Sequence, residues 1–215
     1  MVQHCVHRGV VNKNFQENTI KAFKYSFRKK YGIEADIHAT KDHEFICFHD
    51  FTLNRIFKNK GSIKNMEYSK IKKISTQNKK PIPLLKDLLK ISKNKYSLFI
   101  EIKPTFSKKL LQKLLKETSK FSKCIFISFK HKNIYNLLKI KKNTKVGLSF
   151  SPPTSVKTII KKSNNKKIDC LILHKFFLRN RNIQNLKIKK YYYTIKKKSE
   201  FIKYSKNNNL IFENL

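Results

Sequence analysis

Eight short runs rich in β-branched and aromatic residues recur along the chain, and longer stretches of helical period separate most of them. The runs fall at 3–6, 33–38, 45–48, 97–102, 124–129, 145–150, 169–173 and 191–195. Helical spacing is readable near 19–30, 84–92, 107–120, 132–139, 156–162, 183–186 and 199–205. Such alternation builds βα units around a parallel sheet. Strands that are apolar on both sides need cover on both faces, which favours closure into a barrel. The expectation is therefore an α/β fold, a (β/α)8 TIM-type barrel formed as a single domain over residues 1–215. An open doubly wound sheet fits less well, because none of the four glycines forms a GxGxxG loop after the first run. The third run follows the second almost directly, with His43 and Glu44 near the turn. The segment 51–81 after it carries mixed signals and reads as a short insertion with a helix near 69–74. Two low-complexity stretches, 162–167 and 207–209, read as solvated turns.

A barrel needs a hydrophobic core, and 40% hydrophobic residues with 17 Phe supply one. The net charge of +37 raises the question of nucleic acid, since fifty basic residues could release many phosphate counterions. Only Arg8, Arg28, Arg55, Arg179 and Arg181 are arginines, however, and Arg is the fork that phosphates and base edges favour. The rest of the positive charge is lysine, in a chain also rich in Asn, Ile, Phe and Tyr, all residues of A/T-rich codons. Drift toward A and T would give this excess without any partner. No specific nucleic-acid partner is expected, and weak attraction to an anionic membrane surface is the furthest the charge reaches.

Cys5, Cys47, Cys124 and Cys170 lie far apart, with no CxxC pair and no Cys/His cluster, so zinc is not expected. Each sits in or at the edge of an apolar run, the place of a small buried hydrophobe. Free thiols belong in a reducing compartment, no secretory leader or membrane-length run is visible, and the expected location is the cytoplasm.

With only 13 acids in the chain, their positions are informative. Glu34 and Asp36 are two apart in IEADIHA, so on a strand both carboxylates face the same way while Ile33, Ala35 and Ile37 face the other. Polar side chains at the C-terminal mouth of a barrel strand are where active sites form. Two neighbouring carboxylates repel unless a cation lies between them or one is protonated. A strand with one wet face is the bland explanation for this pair. The same pattern recurs in LFIEIKP, where Glu101 and Lys103 share a face. A third strand-end carboxylate completes an all-oxygen set suited to Ca²⁺ or Mg²⁺. Lys103 beside it could hold a phosphate oxygen, or be one more surface lysine.

His7 follows the first run and His49 the third. Phosphodiester hydrolysis needs one group to activate the nucleophile and another to protonate the leaving alkoxide, and histidine serves both near neutral pH. Two histidines at strand ends flanking a carboxylate pair make such a couple, whereas His4, His38, His43, His131 and His174 read as structural or exposed. Asn18 or Thr19 is a good N-cap for the first helix, and Glu17 is a candidate to orient Arg8.

Taken in order, His7-Arg8-Gly9, Glu17-Asn18-Thr19 with Ala22-Phe23, Glu34-x-Asp36 with Thr40-Lys41-Asp42, His49-Asp50-x-x-Leu53-x-Arg55, Gly61, Ile82-Pro83-x-Leu85 and Glu101-Ile102-Lys103 resemble the glycerophosphodiester phosphodiesterase family. The match covers the first half of the chain. The resemblance implies a TIM-type barrel and hydrolysis of diesters such as glycerophosphocholine to sn-glycerol 3-phosphate and an alcohol. It further implies a divalent cation (Ca²⁺ or Mg²⁺) on Glu34, Asp36 and Glu101, acid–base roles for His7 and His49, and phosphate contacts from Arg8 and Lys103. The second half departs from the pattern. The family's Trp-Thr-Val-Asn segment is Tyr193-Thr194-Ile195-Lys196 here, with Tyr193 still able to wall the pocket, and its Thr-Asp ending survives only as residues 209–214. The competing readings are a lysophospholipid or other phosphodiester hydrolase on the same barrel, and a non-catalytic basic protein that binds nucleic acid or membrane. The last predicts losses among His7, Glu34, Asp36, His49 and Glu101, and all five are present.

Overall fold

The computed structural model describes residues 2–214. Eight strands run parallel and close on themselves: β1 (Cys5–His7), β2 (Gly32–Ala39), β4 (Leu98–Ile102), β5 (Cys124–Ser128), β6 (Val146–Phe150), β7 (Cys170–His174), β8 (Lys189–Ile195) and β9 (Asn209–Phe212). Each pairs with the next, and β1 lies between β2 and β9, which shuts the barrel. Helices α1 (Ile20–Arg28), α4 (Leu85–Ser92), α5 (Lys108–Glu117), α6 (His131–Ile140), α7 (Val156–Ser163), α8 (Arg181–Gln184) and α9 (Lys198–Ser205) fill the crossovers. The expected barrel is therefore present.

One stave differs from expectation. The run at 45–48 forms β3 (Phe45–Cys47), which pairs antiparallel with β2 and lies outside the barrel. The few residues between the two strands allow a hairpin but not the crossover that a parallel neighbour needs. The eighth stave is instead β9, whose polar approach at 207–209 reads as a turn in sequence. Asn209 belongs to it: its side-chain amide donates to Lys190 O (2.8 Å) and its carbonyl accepts from Gln3 N (2.8 Å). Those bonds tie three chain segments at the strand's start.

Two apolar layers hold the barrel. Inside, Cys5, Phe99, Ile127, Cys170, Ile172, Tyr191 and Ile211 are buried and fill the lumen. Packing there is tight enough to require a glycine, since a Cβ on Gly147 would lie 2.7 Å from Cys170 Sγ. Outside, the opposite strand faces meet the helices. On α1 the buried residues Ala22, Phe23, Ser26 and Phe27 recur at helical spacing, and Thr19 caps the helix by accepting from Ala22 N. Burying each large apolar side chain there stabilises the fold by about 1.5–3 kcal/mol. The insertion after β3 contains α2 (Asn54–Phe57) and α3 (Tyr68–Gln77), with a second small core built on Leu53, Phe57, Ile63 and Ile71. No helix among the described residues is long and apolar enough to cross a membrane.

Candidate active site

The strands deliver the acids together. Cα register sets His7 opposite Glu34 on β1 and β2, and Asp36 opposite Glu101 on β2 and β4. Glu34, Asp36 and Glu101 are 2%, 1% and 8% exposed. They bring one oxygen each to within 4.8 Å of the others. After His7 the chain turns sharply through Arg8 (φ 55°) and Gly9 (φ 72°). A Cβ on Gly9 would meet Ala22 at 2.9 Å, so α1 can pack over this turn only if residue 9 is glycine. The turn aims Arg8 back into the mouth, where its backbone N–H donates to Glu34 O at 2.9 Å.

Two cations answer the three carboxylates. Arg8 Nε is 3.0 Å from Asp36 Oδ2. Lys103 Nζ is 3.3 Å from Asp36 Oδ1 and 2.8 Å from Glu101 Oε1. Burial pushes the Asp36 carboxyl up, but Arg8 and Lys103 outweigh it and hold the group at about 2. Glu101 goes the other way, to about 7, through burial and the charge of Asp36, with Lys103 only partly offsetting them. Glu34 is raised well above the carboxylate range by burial, then by Asp36 and Glu101. Burial and neighbouring charge thus favour the protonated form of both acids, and a bound ion would oppose it. Glu34 Oε1 and Asp36 Oδ1 are buried without a hydrogen-bond partner. An all-oxygen cluster with unused lone pairs fits a hard divalent cation.

Both histidines are backed by carboxylates. His7 Nδ1 lies 2.6 Å from Glu213 Oε1, and His7 Nε2 is 3.7 Å from Glu34 Oε2. The hydrogen bond from His7 is the main reason the Glu213 carboxyl drops to about 2. His49 Nδ1 lies 2.6 Å from Asp50 Oδ1, and Arg55 Nε donates to Asp50 Oδ2 at 2.6 Å. Arg55 also reaches Glu17 (2.5 Å), whose Oε1 accepts from Arg8 at 3.3 Å. Glu17 therefore does touch Arg8, and the chain of ion pairs runs from His49 round to Asp36. Burial lowers the His49 pKa and favours its neutral ring. In each histidine the carboxylate takes Nδ1–H and leaves Nε2 for proton transfer.

Supporting contacts fix these groups. Asn18 is not the helix cap: at φ 55° its amide donates to Asp36 Oδ2 (3.0 Å) and its carbonyl accepts from Asp36 N (3.2 Å). His38 Nε2–H donates to His49 O at 3.1 Å, the structural role its position predicts. Tyr193 walls the mouth with its ring, because its hydroxyl is spent on Phe150 O at 3.0 Å. Phe129 and His174 pack edge-on to that ring at 5.8 and 5.6 Å. The resulting cavity of 210 Å³ is lined by His7, Arg8, Glu34, His49, Glu101 and Lys103 on one side, and by Ile127, Phe129, Ile172 and Tyr193 on the other. Asp36 lies beneath, in contact with Arg8 and Lys103. Among the site residues expected from sequence none is displaced. Glu213 has no counterpart among the residues expected from sequence, because it lies in the segment that departs from the family pattern. A carboxylate just past the last apolar run was its one visible signal.

A family model described as the glycerophosphoryl diester phosphodiesterase family matches residues 7–212. A glycerophosphodiester phosphodiesterase of Caldanaerobacter subterraneus subsp. tengcongensis is 32% identical over 159 residues, covering 67% of this chain and 65% of that protein. One from Bacillus altitudinis is 32% identical over 110 residues, 47% of this chain and 44% of its own length. The chain thus spans less than two thirds of the length of these curated relatives. Among solved structures, the Thermotoga maritima glycerophosphodiester phosphodiesterase superposes with a TM-score of 0.82 at 21% identity, over 99% of this chain and 94% of that one. An Oleispira antarctica phosphodiesterase, solved with the product sn-glycerol-3-phosphate, gives 0.84 at 18% identity over 98% and 92%. At these identities the structural likeness shows the fold.

Proposed function

The chain belongs to the glycerophosphoryl diester phosphodiesterase family, and from that membership we propose that it hydrolyses glycerophosphodiesters, such as glycerophosphocholine, to sn-glycerol 3-phosphate and an alcohol. One observation carries the reading: three buried carboxylates and two carboxylate-backed imidazoles meet at a single cavity. The product bound to the Oleispira antarctica protein is consistent with it.

In this proposal Glu34, Asp36 and Glu101 hold Ca²⁺ or Mg²⁺. When bound, such an ion neutralises phosphate oxygens and favours the extra charge of the transition state. Arg8 and Lys103, already at the edge of the cluster, contact the same phosphate. One imidazole takes a proton at Nε2 from the attacking oxygen nucleophile as its new P–O bond forms, the other gives a proton to the alkoxide as the old P–O bond breaks, and one water is consumed over the whole reaction. Glu213 and Asp50 hold the two rings in the tautomer this requires. Tyr193 shapes the wall beside the leaving alcohol.

A cavity of 210 Å³ favours a compact diester over a lysophospholipid. The non-catalytic reading has no use for a buried cluster in which Asp36 raises the pKa values of Glu34 and Glu101, so the charge of the surface is left with at most a weak attraction to anionic membranes. Four buried free cysteines support a cytoplasmic protein, and the barrel is proposed to act as a single domain. The test is release of glycerol 3-phosphate from glycerophosphocholine by purified protein, with and without a chelator. Release that the chelator abolishes is expected. No release from a panel of glycerophosphodiesters overturns the proposal.

A further inference from the structure

A second concavity is larger than the catalytic mouth. It is a groove of 750 Å³ on the flank of the barrel, between α1 and the end of α4. Its apolar lining is Phe15, Phe27, Ile91 and Tyr96, with Phe27 and Tyr96 stacked at 5.2 Å between ring centroids. Its rim is Lys21, Lys24, Arg28, Lys90, Lys93 and Lys95, all exposed. No acid lines it, and the ion pairs of the described residues use other cations.

Lysines are common everywhere on this surface, so charge alone identifies nothing. What sets the groove apart is the coincidence of an apolar trough with a rim of one sign. A ligand that satisfies both needs a hydrocarbon body and an anionic head. The volume lies in the range of about 300–1,000 Å³ typical of small-molecule sites. A nucleic acid would satisfy the rim but leave the trough unused. A zwitterionic head would bring a cation that meets only other cations.

We infer that this groove binds a single-chain anionic amphiphile, a long-chain carboxylate, with its chain along Phe15, Ile91 and Tyr96 and its head among Lys24, Lys90 and Lys93. The site is separate from the catalytic mouth, with none of its lining residues in common. Ester hydrolysis that strips both acyl chains from a phospholipid yields a glycerophosphodiester together with long-chain carboxylates. The groove therefore takes the second product of the class of reaction that supplies the first. That link rests on the proposed substrate, whereas the chemistry of the groove does not.

Calorimetric titration with myristate below its micelle concentration tests the inference without any measurement of turnover. The expected result is saturable binding of one molecule per chain, and at least tenfold weaker binding of myristyltrimethylammonium, which has the same chain and the opposite head. Ile91→Lys, which places a charge in the trough, and the exposed pair Lys24→Glu/Lys93→Glu should each weaken myristate at least tenfold. The exposed pair keeps the test valid should the first variant not fold. Glu101→Gln, in the mouth, should leave myristate binding unchanged. Uptake of many molecules per chain, equal binding of the cationic analogue, indifference to the charge-reversed pair, or loss of binding in Glu101→Gln would each overturn the inference.

Discussion

His7 Nδ1 and Glu213 Oε1 lie 2.6 Å apart, although the residues stand 206 positions from each other in the chain. Closure of the barrel makes the pair. β1 carries His7 at its end, β9 pairs with β1 in parallel, and Glu213 is the residue after Phe212, where β9 stops. The same closure leaves Glu213 within 3.2 Å of Lys196, past the end of β8. One carboxylate thereby links the first and last staves at the mouth and sets the tautomer of His7.

Glu213→Gln should therefore reduce kcat far more than it raises KM. The amide can present its nitrogen to Nδ1 and stabilise the wrong tautomer, and it cannot support an imidazolium. A loss of about 10²-fold or more in kcat is expected, the scale of general acid–base catalysis. Glu213→Asp, which keeps the charge but shortens the reach, should recover part of it. Steady-state kinetics on glycerophosphocholine decide the point, and a kcat within twofold of wild type in the Gln variant would remove the assigned role.

The two imidazoles are separable by leaving group. A diester with an activated alcohol such as p-nitrophenol needs no protonation as it departs, so the general acid becomes dispensable and the general base does not. Of His7→Ala and His49→Ala, one and only one should be rescued by at least tenfold on the activated diester relative to glycerophosphocholine. Equal losses on both substrates in both variants would contradict divided roles.

How much of this site was readable beforehand follows from where periodicity acts. Glu34, Asp36 and Glu101 announced themselves because a strand's twofold alternation fixes which residues share a face. His7 and His49 stood at the ends of apolar runs. Asn18 and Thr19 read as alternative caps because local sequence shows a capping residue type but not a positive φ; Thr19 is the cap, and Asn18 at φ 55° turns its amide to Asp36. β9 and Glu213 went unseen because a short strand with an Asn-rich lead has little pattern of its own and is held by its two neighbours. β3 reads as a stave in sequence because apolar alternation does not reveal strand direction. The length of the connection does, and it was already in the sequence.

Cation binding should be proton-linked. Without an ion, Glu101 is held at about 7 and Glu34 above its ordinary range, chiefly by burial. An ion can bind only as those protons leave. Affinity for Ca²⁺ or Mg²⁺ should rise between pH 6 and 8, by about tenfold per unit where one proton is displaced. Titrations in two buffers of different ionisation enthalpy will report the proton count. Stability has a matching sign. A carboxyl raised above its unfolded value stabilises the fold below that value and loses the contribution as pH rises through about 7. Added cation should then raise Tm more at pH 8 than at pH 6. An affinity that is flat with pH would argue that these carboxylates are not the ligands.

His38 titrates with the opposite consequence. Burial is the main cause that brings its pKa down to about 4, against the ordinary 6.5, even though the bond to His49 O favours the charged form. The folded state thus keeps the ring neutral while the unfolded chain protonates it. Its contribution is complete above pH 6.5 and is lost as pH falls from 6.5 toward 4, by on the order of 3 kcal/mol for a ring that is 3% exposed. Glu101 pulls the other way across part of the same window, so the raw pH profile mixes the two. His38→Gln isolates the imidazole: its amide can still donate to His49 O, and it does not titrate. The difference in unfolding free energy between the two proteins should shift in favour of the variant on going from pH 7 to pH 4.5. The ring C–H resonances of His38 in the wild type should show no titration near 6.5. A normal midpoint for that ring, or parallel stability profiles for the two proteins, would show that the buried imidazole is not what makes the fold acid-sensitive.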